Sequence, residues 1–105
     1  MASVKQFRRI ALSLDGTIEA PHFDRTAFKV KRIYATLAAD GLTANLMLTP
    51  EEQALKCAVA PEAFYPVPNA WGQRGATTAR LSALTVPELR NALTEAWRRA
   101  LRNVR

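Results

Sequence analysis

Residues 26 to 48 limit the possible fold more than any other stretch of the chain. Phe28 and Val30 alternate with Lys29 and Lys31, then Ile33, Ala35 and Leu37 with Tyr34 and Thr36, then Ala44, Leu46 and Leu48 with Thr43, Asn45 and Met47. A period of two gives each strand one apolar and one polar face, so the stretch predicts three consecutive antiparallel strands. Turns are expected near Lys31-Arg32 and at Asp40-Gly41, and an Asp-Gly pair between alternating runs is a strong hairpin signal. One turn tip is therefore cationic.

Three segments open with a hydroxyl three residues before Glu or Gln: Ser3 with Gln6, Thr49 with Glu52, and Thr85 with Glu88. That capping-box spacing satisfies first-turn amides that a helix leaves unpaired. The first helix carries a stripe of Val4, Phe7, Ile10, Ala11 and Leu14 and stops by Gly16. The second, about residues 50 to 59, is expected to bury Ala54, Leu55, Ala58 and Val59 and to end before Ala60-Pro61. The third, from about 86 to 103, aligns Leu89, Ala92, Leu93, Ala96, Trp97, Ala100, Leu101 and Val104, with Arg90, Arg98, Arg102 and Arg105 mostly off that stripe. Cations in its last turn also suit the helix dipole.

A first strand is expected over Thr17 to Phe23, at a sheet edge because it contains Pro21. A last strand over Thr77 to Ser82 sets Thr77, Ala79 and Leu81 against Thr78 and Arg80. The connection from Pro61 to Gly75 reads as a long loop anchored by Phe64 and Tyr65. The order α-β4-α-β-α gives about five strands and three helices, a two-layer α+β fold with helices on the apolar face of an antiparallel sheet. The other face, carrying Lys29, Thr36, Asn45, Thr78 and Arg80 with Lys31 and Arg32 at its rim, is left open.

A chain of 105 residues with 49% apolar composition is expected to be a single domain, 1–105, able to bury a core without metal or disulfide. The lone Cys57 cannot form an internal disulfide, and the N-terminus has no apolar targeting core, so a cytoplasmic location is expected. The net charge of +6 is unevenly spread: residues 1–32 hold seven cations and three acids, 33–70 one and four, and 71–105 seven and two. Basic ends around an acidic middle suit an anionic partner, nucleic acid first.

Enzymatic chemistry finds little support. His22 and Asp24 lack further ligands for a zinc site. Cys57 falls inside a helix rather than at its activating N-terminus, and no phosphate loop, nucleophile elbow or catalytic carboxylate pair is found. Lys29, Lys31, Arg32, Arg74 and Arg80 are candidates for phosphate contacts, with Asn45 or Gln73 for base edges. Trp71 could stack on a base, but beside Gly72 in a proline-rich loop the favoured role is a plug between loop and sheet.

The segments 16–30, Gly-Thr-Ile-Glu-Ala-Pro-His-Phe-Asp-Arg-Thr-Ala-Phe-Lys-Val, then Ile-Tyr-Ala-Thr-Leu, Ala-Asn-Leu-Met-Leu-Thr-Pro-Glu-Glu-Gln and Phe-Tyr-Pro-Val-Pro-Asn-Ala-Trp-Gly, resemble the MmcQ/YjbR family over nearly the whole chain. The resemblance implies a small bacterial protein with a YjbR-like fold, related to secretion-chaperone-like and CyaY-like folds, that binds DNA through a double-wing motif. It implies that Lys29 and Lys31 lie on the first hairpin, Asn45 on the next strand, and Trp71 and Arg80 on the loop and strand before the last helix. Met47 and Ala76 depart from the family pattern, which often has lysine and tryptophan there.

The expectation is therefore a DNA-binding protein, not an enzyme, that needs no cofactor or metal, has no membrane association, and uses its open face and Lys31-Arg32 tip on the phosphate backbone. The alternative is a chaperone-like module whose aromatic loop and sheet edge receive a protein or peptide. Lys29, Asn45, Arg74 and Arg80 on one concave surface would favour the first; dispersed positions would favour the second.

Overall fold

The computed structural model describes residues 1–102. Ten elements of helix and strand follow one another: α1 (Val4–Ser13), β1 (Ile18–His22), β2 (Arg25–Lys29), β3 (Ile33–Leu37), β4 (Thr43–Met47), α2 (Pro50–Val59), β5 (Phe64–Pro66), α3 (Ala70–Gln73), β6 (Ala76–Arg80) and α4 (Val86–Leu101). The strands form one antiparallel sheet in the order β1-β2-β3-β4-β6-β5. The two-layer α+β class holds, with six strands and a fourth, one-turn helix. The extra pieces come from the aromatic connection: Phe64 and Tyr65 are not loop anchors but sit on edge strand β5, where the Phe64 ring is buried and Tyr65 is exposed. The positions expected at 103 to 105, including Val104 and Arg105, lie outside the described residues.

All three capping boxes form. Ser3, Thr49 and Thr85 each accept from the amide three residues on, and Gln6, Glu52 and Glu88 return a side-chain oxygen to the cap amide at 2.8–2.9 Å. Each contributes about 1 kcal/mol. The Asp40-Gly41 turn also forms, closed by Asp40 Oδ1 on the Leu42 amide at 2.9 Å. The core lies between one face of the sheet and helices α1 and α4, where Phe28, Leu46, Leu89 and Leu93 are fully covered. Phe7 meets Phe28 edge-on at 5.4 Å.

Two expected faces are reversed. In β3 the alternation breaks: Phe28 pairs with Ala35 but Lys29 with Ile33, leaving Tyr34 as the extra residue of a β-bulge. Tyr34 therefore turns into the core with Ala35, and Ile33 turns to the open face. The Tyr34 hydroxyl donates its only proton to the Ala11 carbonyl at 3.2 Å, so the 2.9 Å contact with Thr17 is donated by Thr17. In α2, Ala54, Leu55, Ala58 and Val59 all point outward, with Leu55 66% and Val59 75% exposed. The inward side is mostly polar. Gln53 donates to the carbonyls of Gly72 and Ala76, both at 2.9 Å, and Lys56 pairs with Glu95 of α4 at 2.9 Å. Cys57 packs there against the core. Backbone carbonyls and a carboxylate beside a sheet edge decide which way this helix turns, not apolar area.

Burial holds the Tyr34 phenol above its ordinary value of 10.0, while the Thr17 bond partly opposes that rise. This contribution to stability is full below the ordinary value and is lost as pH rises through the raised folded value. Tyr34→Phe should cost about 1 kcal/mol in a urea titration at neutral pH, since two hydrogen bonds go but the ring stays. Its stability should then fall less steeply than that of the unsubstituted protein above about pH 10.

Candidate nucleic-acid interface

The helices leave the second sheet face uncovered, and the strand register determines what stands on it. Ala27, Thr36, Asn45, Thr78 and Tyr65 form one row across five strands. Thr78 donates its hydroxyl proton to Asn45 Oδ1 at 2.9 Å, and Arg25 crosses from β2 to give Nε to the Thr36 hydroxyl at 2.8 Å and an Nη to the Thr36 carbonyl at 3.2 Å. The next row holds Ile33, Met47 and its cross-strand partner Ala76.

Residues 67 to 74 raise a wall along this floor. Asn69 caps the short helix α3 by accepting from the Trp71 amide at 2.9 Å. A side chain at Gly72 would collide with the Val67 carbonyl, and one at Gly75, where φ is 112°, with the Leu48 carbonyl. The backbone itself thus fills the gap between loop and sheet. Trp71 is consequently not the expected plug: its ring is 60% exposed and lies over the open face. The Arg74 guanidinium sits 5.5 Å from the ring centroid, a cation–π distance.

Two adjoining cavities result, of about 500 Å³ and 250 Å³, and both are lined by Ile33, Met47, Trp71 and Ala76. The larger continues to His22, Arg25, Thr36, Asn45 and Asn69. The smaller ends at Arg32, Arg74 and Arg99, from the β2–β3 turn, the α3 cap and the last turn of α4. Arg32 reaches the Arg99 carbonyl at the long distance of 3.5 Å. Burial and the neighbouring Arg32 lower the Arg99 pKa, Glu52 opposes this, and Arg102 adds to it. None of the three arginines has a carboxylate within 4.0 Å among the described residues. Glu52, whose charge acts on Arg99, accepts a hydrogen bond from the Thr49 amide.

The expected residues are therefore divided. Asn45, Trp71, Arg32 and Arg74 line the two cavities. Lys29 pairs with Ile33 just outside them, and Lys31 is exposed in the turn. Arg80 lies at the other end of β6, with its guanidinium on the Glu62 carbonyl at 3.1 Å. Lys29, Asn45, Arg74 and Arg80 do not share one concave surface. Sequence reading missed Arg99, Arg25, Ile33 and Met47 as lining residues. Met47 and Ala76 face each other across β4 and β6 at the junction of the cavities.

Other chemistry is sparse. The Cys57 thiol is pushed up by burial, away from an activated thiolate, and no group of three or more His, Cys, Asp or Glu is placed to hold a metal among the described residues. No helix of the described residues is long and apolar enough to cross a membrane. At the β1–β2 turn, Phe23 is 94% exposed with φ of 59°, and its ring meets His22 edge-on at 4.9 Å.

Gly72→Ala should cost about 1–3 kcal/mol by denaturant titration, because the Val67 carbonyl must move. The shift of the wall should also change the emission of Trp71.

No curated protein matches the sequence. Among solved structures, the chain is similar to a Deinococcus radiodurans protein with a DUF419 domain, at TM-score 0.75 and 21% identity over 91% of this chain and 76% of that one. It is also similar to a Pseudomonas syringae protein, at TM-score 0.65 and 16% identity over 91% and 97%. At such identities the likeness concerns the fold alone. The YjbR family model matches residues 12–99, so the chain belongs to the YjbR family.

Proposed function

We propose that this protein binds nucleic acid through the open face of its sheet, with the phosphate chain held at the Arg32, Arg74 and Arg99 end. The observation that carries this reading is the convergence of three guanidiniums, from three separate elements, on one cavity beside an exposed tryptophan. Arginine forks match phosphate oxygens in pairs, and such contacts give affinity without sequence information. Exposed Lys31 and partly exposed Lys29 flank the same end and extend the positive surface. DNA is the nucleic acid that the family resemblance favours, and the chemistry of the site is compatible with it.

The outward face of α2 supports a second reading. Ala54, Leu55, Ala58 and Val59 form an apolar stripe suited to a protein partner. That reading prevails if nucleic acid fails to bind at low salt and Leu55→Lys abolishes a concentration-dependent association seen by sedimentation.

Fluorescence anisotropy with an unrelated 20-base DNA, single-stranded and duplex, tests the main reading. Affinity should fall with salt, with a logarithmic slope of about −0.9 per phosphate neutralised on duplex and about −0.7 on single strands. Arg32→Ala with Arg74→Ala should flatten the slope by up to about two units, whereas Arg80→Ala should leave it nearly unchanged. Absence of binding to both forms at low salt overturns the proposal.

A further inference from the structure

The two cavities share four lining residues and so form one trough whose chemistry changes along its length. One end is cationic, with Arg32, Arg74 and Arg99. The middle is apolar, floored by Ile33, Met47 and the single methyl of Ala76, with Trp71 above them. The far end presents hydrogen-bond donors. Asn69 Oδ1 accepts from the Trp71 amide, which assigns its oxygen and leaves its NH₂ as a free donor on a residue that lines the cavity. Asn45 likewise spends its oxygen on Thr78.

From this order we propose that the trough takes one unpaired nucleotide, with its phosphate between Arg32, Arg74 and Arg99, its base against Trp71, and acceptor atoms of the base toward Asn45 and Asn69. The proposal rests on the nucleic-acid reading and narrows it: the preferred ligand is a strand with an unstacked base rather than a duplex. Anion, flat apolar body and acceptor edge occur in that sequence in every nucleotide. The larger cavity alone, at about 500 Å³, lies within the range of roughly 300–1,000 Å³ common for small-molecule sites. Stacking on an exposed tryptophan is sequence-tolerant, because every base has a π-face. The arginine end makes few internal contacts: a long bond from Arg32 to the Arg99 carbonyl, and the Arg74 guanidinium 5.5 Å from the Trp71 ring centroid, which a bound base would share or displace.

Titration calorimetry at low salt with thymidine 5′-monophosphate, thymidine, inorganic phosphate and N-acetyltryptophan tests the proposal. The nucleotide should bind about tenfold or more tightly than any of the other three, since each lacks at least one part of the pattern. Arg74→Gln and Trp71→Ala should each weaken nucleotide binding by about tenfold. Both replace exposed side chains, so folding is not at stake. Arg99→Gln should do the same, with Arg99→Lys retaining part of the affinity, while Arg80→Gln should change nothing. A lowered melting temperature in Arg99→Gln with unaltered nucleotide affinity would mean that the arginine serves only the end of α4, and would overturn its assigned role. Equal binding of N-acetyltryptophan would make the trough a carboxylate site and overturn the proposal, as would a duplex bound more tightly than its single strand at the same salt. The broader reading is judged separately: if the 20-base strands bind but the mononucleotide does not, this inference falls and that reading stands. A mononucleotide that binds while both strands fail overturns the nucleic-acid reading, and with it the preference for a strand.

Discussion

Burial of the large apolar side chains on one side of the sheet governs this molecule. Phe7, Phe28, Leu46, Leu89 and Leu93 are sealed between helices α1 and α4 and a single face of a six-stranded sheet, and removing such area from water is the main favourable contribution to the fold. The edge-on Phe7–Phe28 contact adds about 0.5–1.5 kcal/mol. Because α1 and α4 are spent on one side, the reverse of the sheet must satisfy its own polar groups. It does so through bonds running sideways between strands, Arg25 to Thr36 and Thr78 to Asn45. The outcome is a floor with a hydrogen-bonded polar row beside the apolar row of Ile33, Met47 and Ala76, and residues 67 to 74 turn it into a trough.

The basic end of that trough depends on bonds formed elsewhere. Glu52 is the carboxylate whose charge reaches Arg99, but the capping box at the start of α2 already holds it on Thr49. One turn further on, Gln53 clamps the carbonyls of Gly72 and Ala76 and so ties α2 to the base of the wall. The last turn of α4 carries Arg98 and Arg99, where the helix dipole favours cations. Ordinary helix-end chemistry thus leaves three guanidiniums together with no carboxylate in direct contact among the described residues.

Much of this architecture was legible in the chain. Period-two alternation located β2, β3 and β4, the three hydroxyl-to-Glu/Gln spacings located the starts of α1, α2 and α4, and Pro21 marked an edge strand. What was hidden depended on partners distant in sequence. β5 is three residues ending in a proline and exists only by pairing with β6. The orientation of α2 follows from carbonyls and a carboxylate that come later in the chain. Arg99 joins Arg32 because of where α4 ends over the β2–β3 turn, 67 residues away. Trp71 was misread because the filling of the gap was credited to the largest side chain nearby, when backbone at Gly72 and Gly75 does it.

The bulge at Tyr34 has a consequence for how the chain can vary. Strand β3 is two half-strands in opposite phase: before Tyr34, odd positions look into the trough, and after it they look into the core. Ile33 and Ala35 therefore answer to different selective pressures although they stand only two residues apart. Any comparison of relatives that slides a gap across this one residue would score trough positions as core positions. The two lineages of constraint meet at a single phenol, held by the Ala11 carbonyl of α1 on one side and by Thr17, just before β1, on the other.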